Sequence, residues 1–178
     1  VIEFLFTEAD EAEAKVRYLR NHYRAGEPEW TLAGPDLRWI GPIGELAVHR
    51  FLDDWQVPHV WNGGYDRKPD IEIGRVGVAV KTNTGHRDSV LIQASAIGKL
   101  ADEVVFCAYD RNGRRATILG GISASGFRAE AVLCCEGKPV PWAPYRTFEN
   151  DAYVLPLLAL EPPLRWLDRV VPDHAKAA

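Results

Sequence analysis

Two short runs, Pro69-Asp70-Ile71-Glu72-Ile73 and Gly77-Val78-Ala79-Val80-Lys81-Thr82, flank a glycine-bracketed turn, and this pair constrains the chain more than any other stretch. Strand side chains alternate between faces, so Ile71, Ile73, Val78 and Val80 share one face and Asp70, Glu72, Ala79 and Lys81 the other. With Gly74 and Gly77 bracketing Arg75-Val76 as the loop, Asp70 stands opposite Lys81 and Glu72 opposite Ala79. The aliphatic face requires a core to pack on. The other face gathers two carboxylates and an ammonium at positions that neutral side chains could have filled.

The flanking segments set the fold class. Residues 2–6 read as a short strand, and Thr7 caps a helix that runs to about Arg24 and ends at Gly26, before Pro28. Its acidic start (Glu8, Asp10, Glu11, Glu13) and basic end (Arg17, Arg20, Arg24) match the helix dipole. A second helix covers about 42–55, with Pro42 suited to its first turn. Ile43, Leu46, Ala47, Val48, Phe51, Leu52 and Trp55 occupy so much of its circumference that it is predicted to be largely buried. Strands at 59–61, 69–73, 77–82 and 90–93 follow, the last leading into a small helix from Ala94. Residues 103–109 and 115–119 form a hairpin with Asn112-Gly113 as the turn signal, and Ser123 or Ser125 caps a helix through Ala131. Six of the twelve prolines fall between 139 and 163. The expectation is one α/β domain over 1–178: a central mixed sheet flanked by helices, a core at about 41–131, and a proline-rich irregular wrap over 139–178.

Composition narrows the function classes. With 178 residues, 47% of them hydrophobic, the chain can bury one good core. No apolar run approaches the roughly 18 residues a bilayer span needs. Val1-Ile2-Glu3-Phe4-Leu5-Phe6 lacks a basic leader region, so a cytoplasmic protein without membrane contact is expected. Cys107, Cys134 and Cys135 make an odd set without a C-x-x-C, which argues against a disulfide framework and a four-cysteine metal site. Cys107, inside Val104-Val105-Phe106-Cys107-Ala108, reads as a buried thiol. There is no P-loop, no G-x-G-x-x-G and no H-E-x-x-H, and Gly121-Ile122-Ser123-Ala124-Ser125-Gly126 is not a G-x-S-x-G elbow. The net charge of −4 disfavours a broad nucleic-acid surface, although carboxylates that hold a cation make a metal-free sequence look acidic.

The ordered set of Gly44-Glu45-Leu46-Ala47 on a helix, Pro69-Asp70, the hairpin, Val80-Lys81-Thr82 and Gln93 ahead of the next helix spans roughly 41–110. It resembles the PD-(D/E)xK, or restriction-endonuclease-like, nuclease superfamily. The resemblance implies a restriction-endonuclease-like core and hydrolysis of DNA phosphodiesters with Mg²⁺ or Mn²⁺. It further implies that Glu45, Asp70 and the Val80 carbonyl are metal ligands, that Lys81 activates water or steadies developing charge, and that Gln93 assists. Hard oxygen ligands suit Mg²⁺, and an ammonium beside the phosphate suits the transition state.

Ala79 departs from that pattern, because the superfamily places a second acidic ligand two residues before the lysine. Three readings stand open: Glu72 supplies the carboxylate from across the hairpin, an active-site glutamate has been exchanged for alanine, or the chain has lost catalysis and kept binding. Removing even an outer partner of a metal commonly costs about 10–100-fold in affinity or activity, so little cleavage is expected unless Glu72 substitutes.

Simpler readings accompany each residue. Asp70 and Lys81 could form a cross-strand ion pair on a wet face, worth about 0.2–1 kcal/mol. Glu45 could be a helix-start carboxylate. His49, one turn beyond Glu45, reads as packing or pairing with it rather than binding metal. His86, Arg87 and Lys99 are candidates for phosphate contacts, or else solvated charges. The tryptophans read mostly as core, with Trp30 or Trp39 open to base stacking. The leading function is a metal-dependent DNA endonuclease that dimerises or works within a nucleoprotein assembly; the alternative is a non-catalytic nucleic-acid-binding or assembly module on the same fold.

Overall fold

The computed structural model describes residues 1–22, 39–62, 68–84, 88–140 and 143–172. The chain opens with β1 (Ile2–Leu5) and α1 (Glu8–His22). Thr7 and Asp10 start α1 by exchanging bonds: the Asp10 N–H donates to Thr7 Oγ1 at 3.3 Å, and the Thr7 N–H donates to Asp10 Oδ2 at 2.7 Å. Arg50 reaches back to Asp10 and ties α1 to α2 (Ile40–Asp54). The expected end of α1 at Arg24 and Gly26 lies outside the described residues, as do Trp30 and Trp142.

After α2 come β2 (Val60–Trp61), β3 (Ile71–Ile73), β4 (Val76–Thr84), β5 (Ser89–Gln93), β6 (Glu103–Asp110) and β7 (Arg115–Ser123). A 3₁₀ turn over Ala94–Lys99 replaces the small α-helix expected there. Ser123 caps α3 (Ala124–Glu130), its Oγ accepting the Gly126 N–H at 3.0 Å. In the 110–114 turn the left-handed residue is Arg114, at φ 47, rather than Gly113, and β7 runs on to Ser123.

The main sheet has six strands in the order β1-β7-β6-β4-β3-β2, with β4 and β6 parallel and every other pair antiparallel. Helices cover one face, where Ile43, Ala47, Phe51, Ile71, Val78, Val80, Val105 and Ile118 share a core. Against the other face, Val104, Phe106 and Ile122 pack with Val90, Ile92, Leu155 and Phe127. The molecule is therefore a mixed α/β structure, and the Ile71/Ile73/Val78/Val80 face lies inward as the alternation predicts.

The region expected to be an irregular wrap is more regular than its prolines suggest. It contains β8 (Val132–Cys134) just upstream, then β9 (Pro139–Val140), β10 (Ala143–Thr147), β11 (Ala152–Pro156) and α4 (Pro163–Val170). β11 is the middle strand of a three-stranded sheet, β5-β11-β8. Proline is tolerated because Pro156 ends its strand and Pro163 opens a helix, positions where a missing N–H costs nothing. Cys107 is fully buried, and the three cysteines are free. No helix among the described residues is long and apolar enough to cross a membrane.

Candidate metal-binding site at the β3–β4 junction

The hairpin register differs from the expected one. Ile71 pairs with Val78, Glu72 with Gly77 and Ile73 with Val76, so the loop is Gly74-Arg75 and the pairing has moved by two residues. Gly74 has φ +60, the left-handed value that the first position of a type II′ turn requires, while β-branched Val76 stays in the strand. Gly77 is glycine for a different reason: a Cβ there would lie 3.1 Å from Pro69 Cγ and 3.3 Å from Ala101 Cβ. A shift of two preserves the faces. It changes the partners, however: extending the register by one residue puts Ala79, not Lys81, across from Asp70.

β3 parts from β4 at Asp70. One step further, the register would bring Val80 opposite Pro69, which has no N–H to offer. The Asp70 carboxylate takes over part of the ladder, Oδ2 accepting the Val80 N–H at 2.7 Å. A strand residue sends its N–H and C=O to the same side. The Val80 carbonyl therefore also points toward Asp70, at a place where Pro69 cannot donate to it. Asn62 holds the departing strand: its N–H donates to the Asp70 carbonyl at 2.9 Å, and its Nδ2 to the Pro69 carbonyl at 3.1 Å and Glu72 Oε1 at 2.8 Å.

Helix α2 brings Glu45 to this junction. Gly44 permits the approach, since a Cβ on it would lie 1.9 Å from Thr82 Oγ1 and 3.2 Å from Cys107 Cβ. Glu45 is only 9% exposed, and Trp61 Nε1–H donates to its Oε2 at 3.0 Å. Burial, then the charge of Asp70, push Glu45 up to about 7, against the opposing pull of the Trp61 bond, Lys81 and Arg17. Asp70 is likewise raised by burial, with Lys81 and the Val80 N–H pulling it down. Glu45, Asp70 and Lys81 thus lie within electrostatic reach of one another, from three separate elements. With α2 starting at Ile40, Glu45 sits beyond the first turn, so the dipole alone does not account for it.

The other expected site residues are distributed as follows. Ala79 is buried beside Val104 of β6. Glu72 is committed to Asn62 and lines a separate cleft of about 590 Å³ with Arg75, Asp102 and Arg128. Gln93 and Lys99 are exposed, on β5 and the 3₁₀ turn, without hydrogen bonds or ion pairs to the Glu45–Asp70–Lys81 group among the described residues. His86 and Arg87 lie outside the described residues. His49 packs, but on Trp61 and His59 rather than pairing with Glu45. Trp39 is core, edge-on to Tyr109.

Trp61 and Asn62 are the site residues that sequence reasoning missed. Their signal was adjacency: a strand ending at Trp61 must pair with the one starting near Asp70, and so places an indole and an amide at the carboxylates.

The donor set comprises two carboxylates, both raised by burial, and the Val80 carbonyl. Two carboxylates and a carbonyl are hard oxygens, the ligand type that Mg²⁺ or Mn²⁺ takes. No protein-family model matches this chain, and no match was found among curated proteins.

Proposed function

We propose that this chain has a restriction-endonuclease-like core whose β3–β4 junction is the site of a metal-dependent DNA nuclease with one ligand position vacant at Ala79. The observation that carries the reading is the convergence of Glu45, Asp70 and Lys81, with the Val80 carbonyl, where β3 leaves β4. A bound Mg²⁺ would polarise a phosphoryl oxygen and lower the pKa of an attacking water. Glu45 and Asp70 would hold it with the Val80 carbonyl, and Trp61 would fix the Glu45 carboxylate. The Lys81 ammonium would stabilise the charge that builds on the phosphate oxygens as water attacks phosphorus and one ester bond breaks. With alanine at 79, the chain as it stands would cut weakly or not at all.

The test uses supercoiled, linear and branched DNA with Mg²⁺ or Mn²⁺. Ala79→Glu should raise cutting about 10–100-fold or more over the parent chain, and adding Lys81→Ala should abolish it. If Ala79→Glu cuts none of these substrates although folded, the nuclease reading fails. Cutting by the parent that Glu72→Ala removes would instead make Glu72 the missing ligand.

The vacancy at 79 also favours a second reading, a non-catalytic DNA-binding module on the same framework. That reading requires DNA binding by the parent chain that Mg²⁺ leaves unchanged.

A further inference from the structure

A second cluster of ligating side chains lies one turn further along α2. His49 and Asp53, at i and i+4, share one helix face, and His59 approaches from the segment entering β2. One ligand atom from each of the three falls within 4.8 Å of the others. His59 Nδ1 is 2.8 Å from the Val57 carbonyl, which can only accept, so Nδ1 carries a hydrogen, and in the neutral ring the lone pair is on Nε2. That Nε2 lies 2.7 Å from His49 Nδ1 and 4.0 Å from Asp53 Oδ1. If neutral His49 donates from Nδ1 to His59, its own Nε2 lone pair faces Asp53 Oδ2 at 3.5 Å. In that arrangement the His59 lone pair is taken up by the His49 Nδ1–H, and a cation replacing that proton would meet a ring nitrogen from each histidine with the Asp53 carboxylate alongside.

We propose that His49, Asp53 and His59 hold a divalent transition ion of the imidazole-seeking class, with Zn²⁺ as the representative. Ligand atoms around tetrahedral zinc, at about 2.0–2.1 Å from the metal, stand about 3.3 Å apart, so binding requires the His49–His59 nitrogen pair to open from 2.7 Å and Asp53 to close on His59 from 4.0 Å. Two imidazoles and one carboxylate suit zinc, cobalt or nickel, whereas Mg²⁺ favours the all-oxygen set at Glu45 and Asp70. The Val57 carbonyl already orients His59, as the outer partner of a ligating histidine does. His59 is nearly enclosed, at 4% side-chain exposure, while Asp53 is 59% exposed, so water has access to a fourth position. Among the described residues, the two arginines that act on His49 are compensated: Arg17 pairs with Glu13 and Arg50 with Asp10.

The ion would pin the end of α2 to the chain entering β2. The His49 ring centroid is 4.8 Å from that of Trp61, whose indole holds Glu45. The proposed role is positional, and it stands whether or not the chain cuts DNA.

The chain, stripped with chelator and dialysed, is titrated with Co²⁺ and Zn²⁺. One equivalent of Co²⁺ should give the intense visible bands of a four-coordinate site, displaced by Zn²⁺, and Zn²⁺ should raise the melting temperature. Asp53→Asn, at an exposed position that leaves folding intact, should weaken Zn²⁺ about 10-fold or more, and His59→Gln should remove the cobalt bands. Replacing Cys134 and Cys135 by serine should change nothing. Weak six-coordinate cobalt spectra insensitive to Asp53→Asn, or bands lost with the cysteines, would overturn the proposal. So would a chain that binds no equivalent of either ion, which would leave the cluster as a proton-linked His–His–Asp chain.

Discussion

Glu45 concentrates the electrostatic cost of the β3–β4 junction. Its carboxyl is pushed from 4.5 up to about 7 by burial and by the charge of Asp70. A carboxyl that holds its proton more tightly when folded favours folding at low pH. That contribution is fully present below about 4.5 and is lost as pH rises through 7. At about 1.4 kcal/mol per pKa unit, the loss is on the order of 3 kcal/mol. Glu45→Gln should therefore stabilise the metal-free chain by roughly that amount at pH 8, with the difference fading toward pH 4.5. Urea melts across this range in chelator decide it; equal gains at both pH values would mean that neither burial nor the charge of Asp70 raises the Glu45 carboxyl on folding. Added Mg²⁺ should narrow the pH 8 difference by stabilising the parent and not the variant.

At the level of elements, the site depends on how closely α2 approaches β4 and β6. Gly44 sets that distance, because the first atom of any side chain there meets Thr82 Oγ1 at 1.9 Å. Gly44→Ala should cost about 1–3 kcal/mol, as overpacking typically does, even though alanine is the better helix former. Thr82→Ala removes the obstructing oxygen, so the double variant should recover part of the loss. A urea-melt cycle in which the two changes simply add would place the α2 contact elsewhere. The hairpin shows the same dependence on one glycine. Gly74 and Gly77 both looked like turn residues, and pattern alone could not say which one needs a positive φ and which one needs room for Pro69.

Across the whole molecule, the C-terminal helix is fastened through Glu103 at the start of β6. That carboxylate is 6% exposed and accepts Arg169 Nη1 at 2.6 Å, Arg169 Nη2 at 2.8 Å and Trp166 Nε1 at 3.1 Å. The Trp166 ring rests on Gly121, where a Cβ would come within 2.4 Å of it. Arg169→Ala leaves Glu103 with one donor. The expected loss is about 2–3 kcal/mol, below the 3–5 typical of breaking a fully buried pair, because Arg169 is 38% exposed and Trp166 still donates. Chemical denaturation measures it, and Glu103→Gln combined with Arg169→Ala should be milder than Arg169→Ala alone. If Arg169→Ala costs nothing, α4 does not depend on this pair.

The amino-acid order alone located α1, α2, α3 and most strands, showed which hairpin residues face the core, and singled out Glu45, Asp70 and Lys81, which the fold brings within electrostatic reach of one another. These follow from periodicity, caps and turn chemistry, which act over a few residues. Packing decided the rest: the two-residue register change that sets Ala79 beside Asp70, the capture of Glu45 by Trp61 and of the Asp70 strand by Asn62, and the meeting of His49 with His59. It also turned the proline-rich tail into a second sheet and a helix. Each of these joins segments distant in sequence, where the deciding quantity is whether two surfaces fit, and no local pattern carries that information.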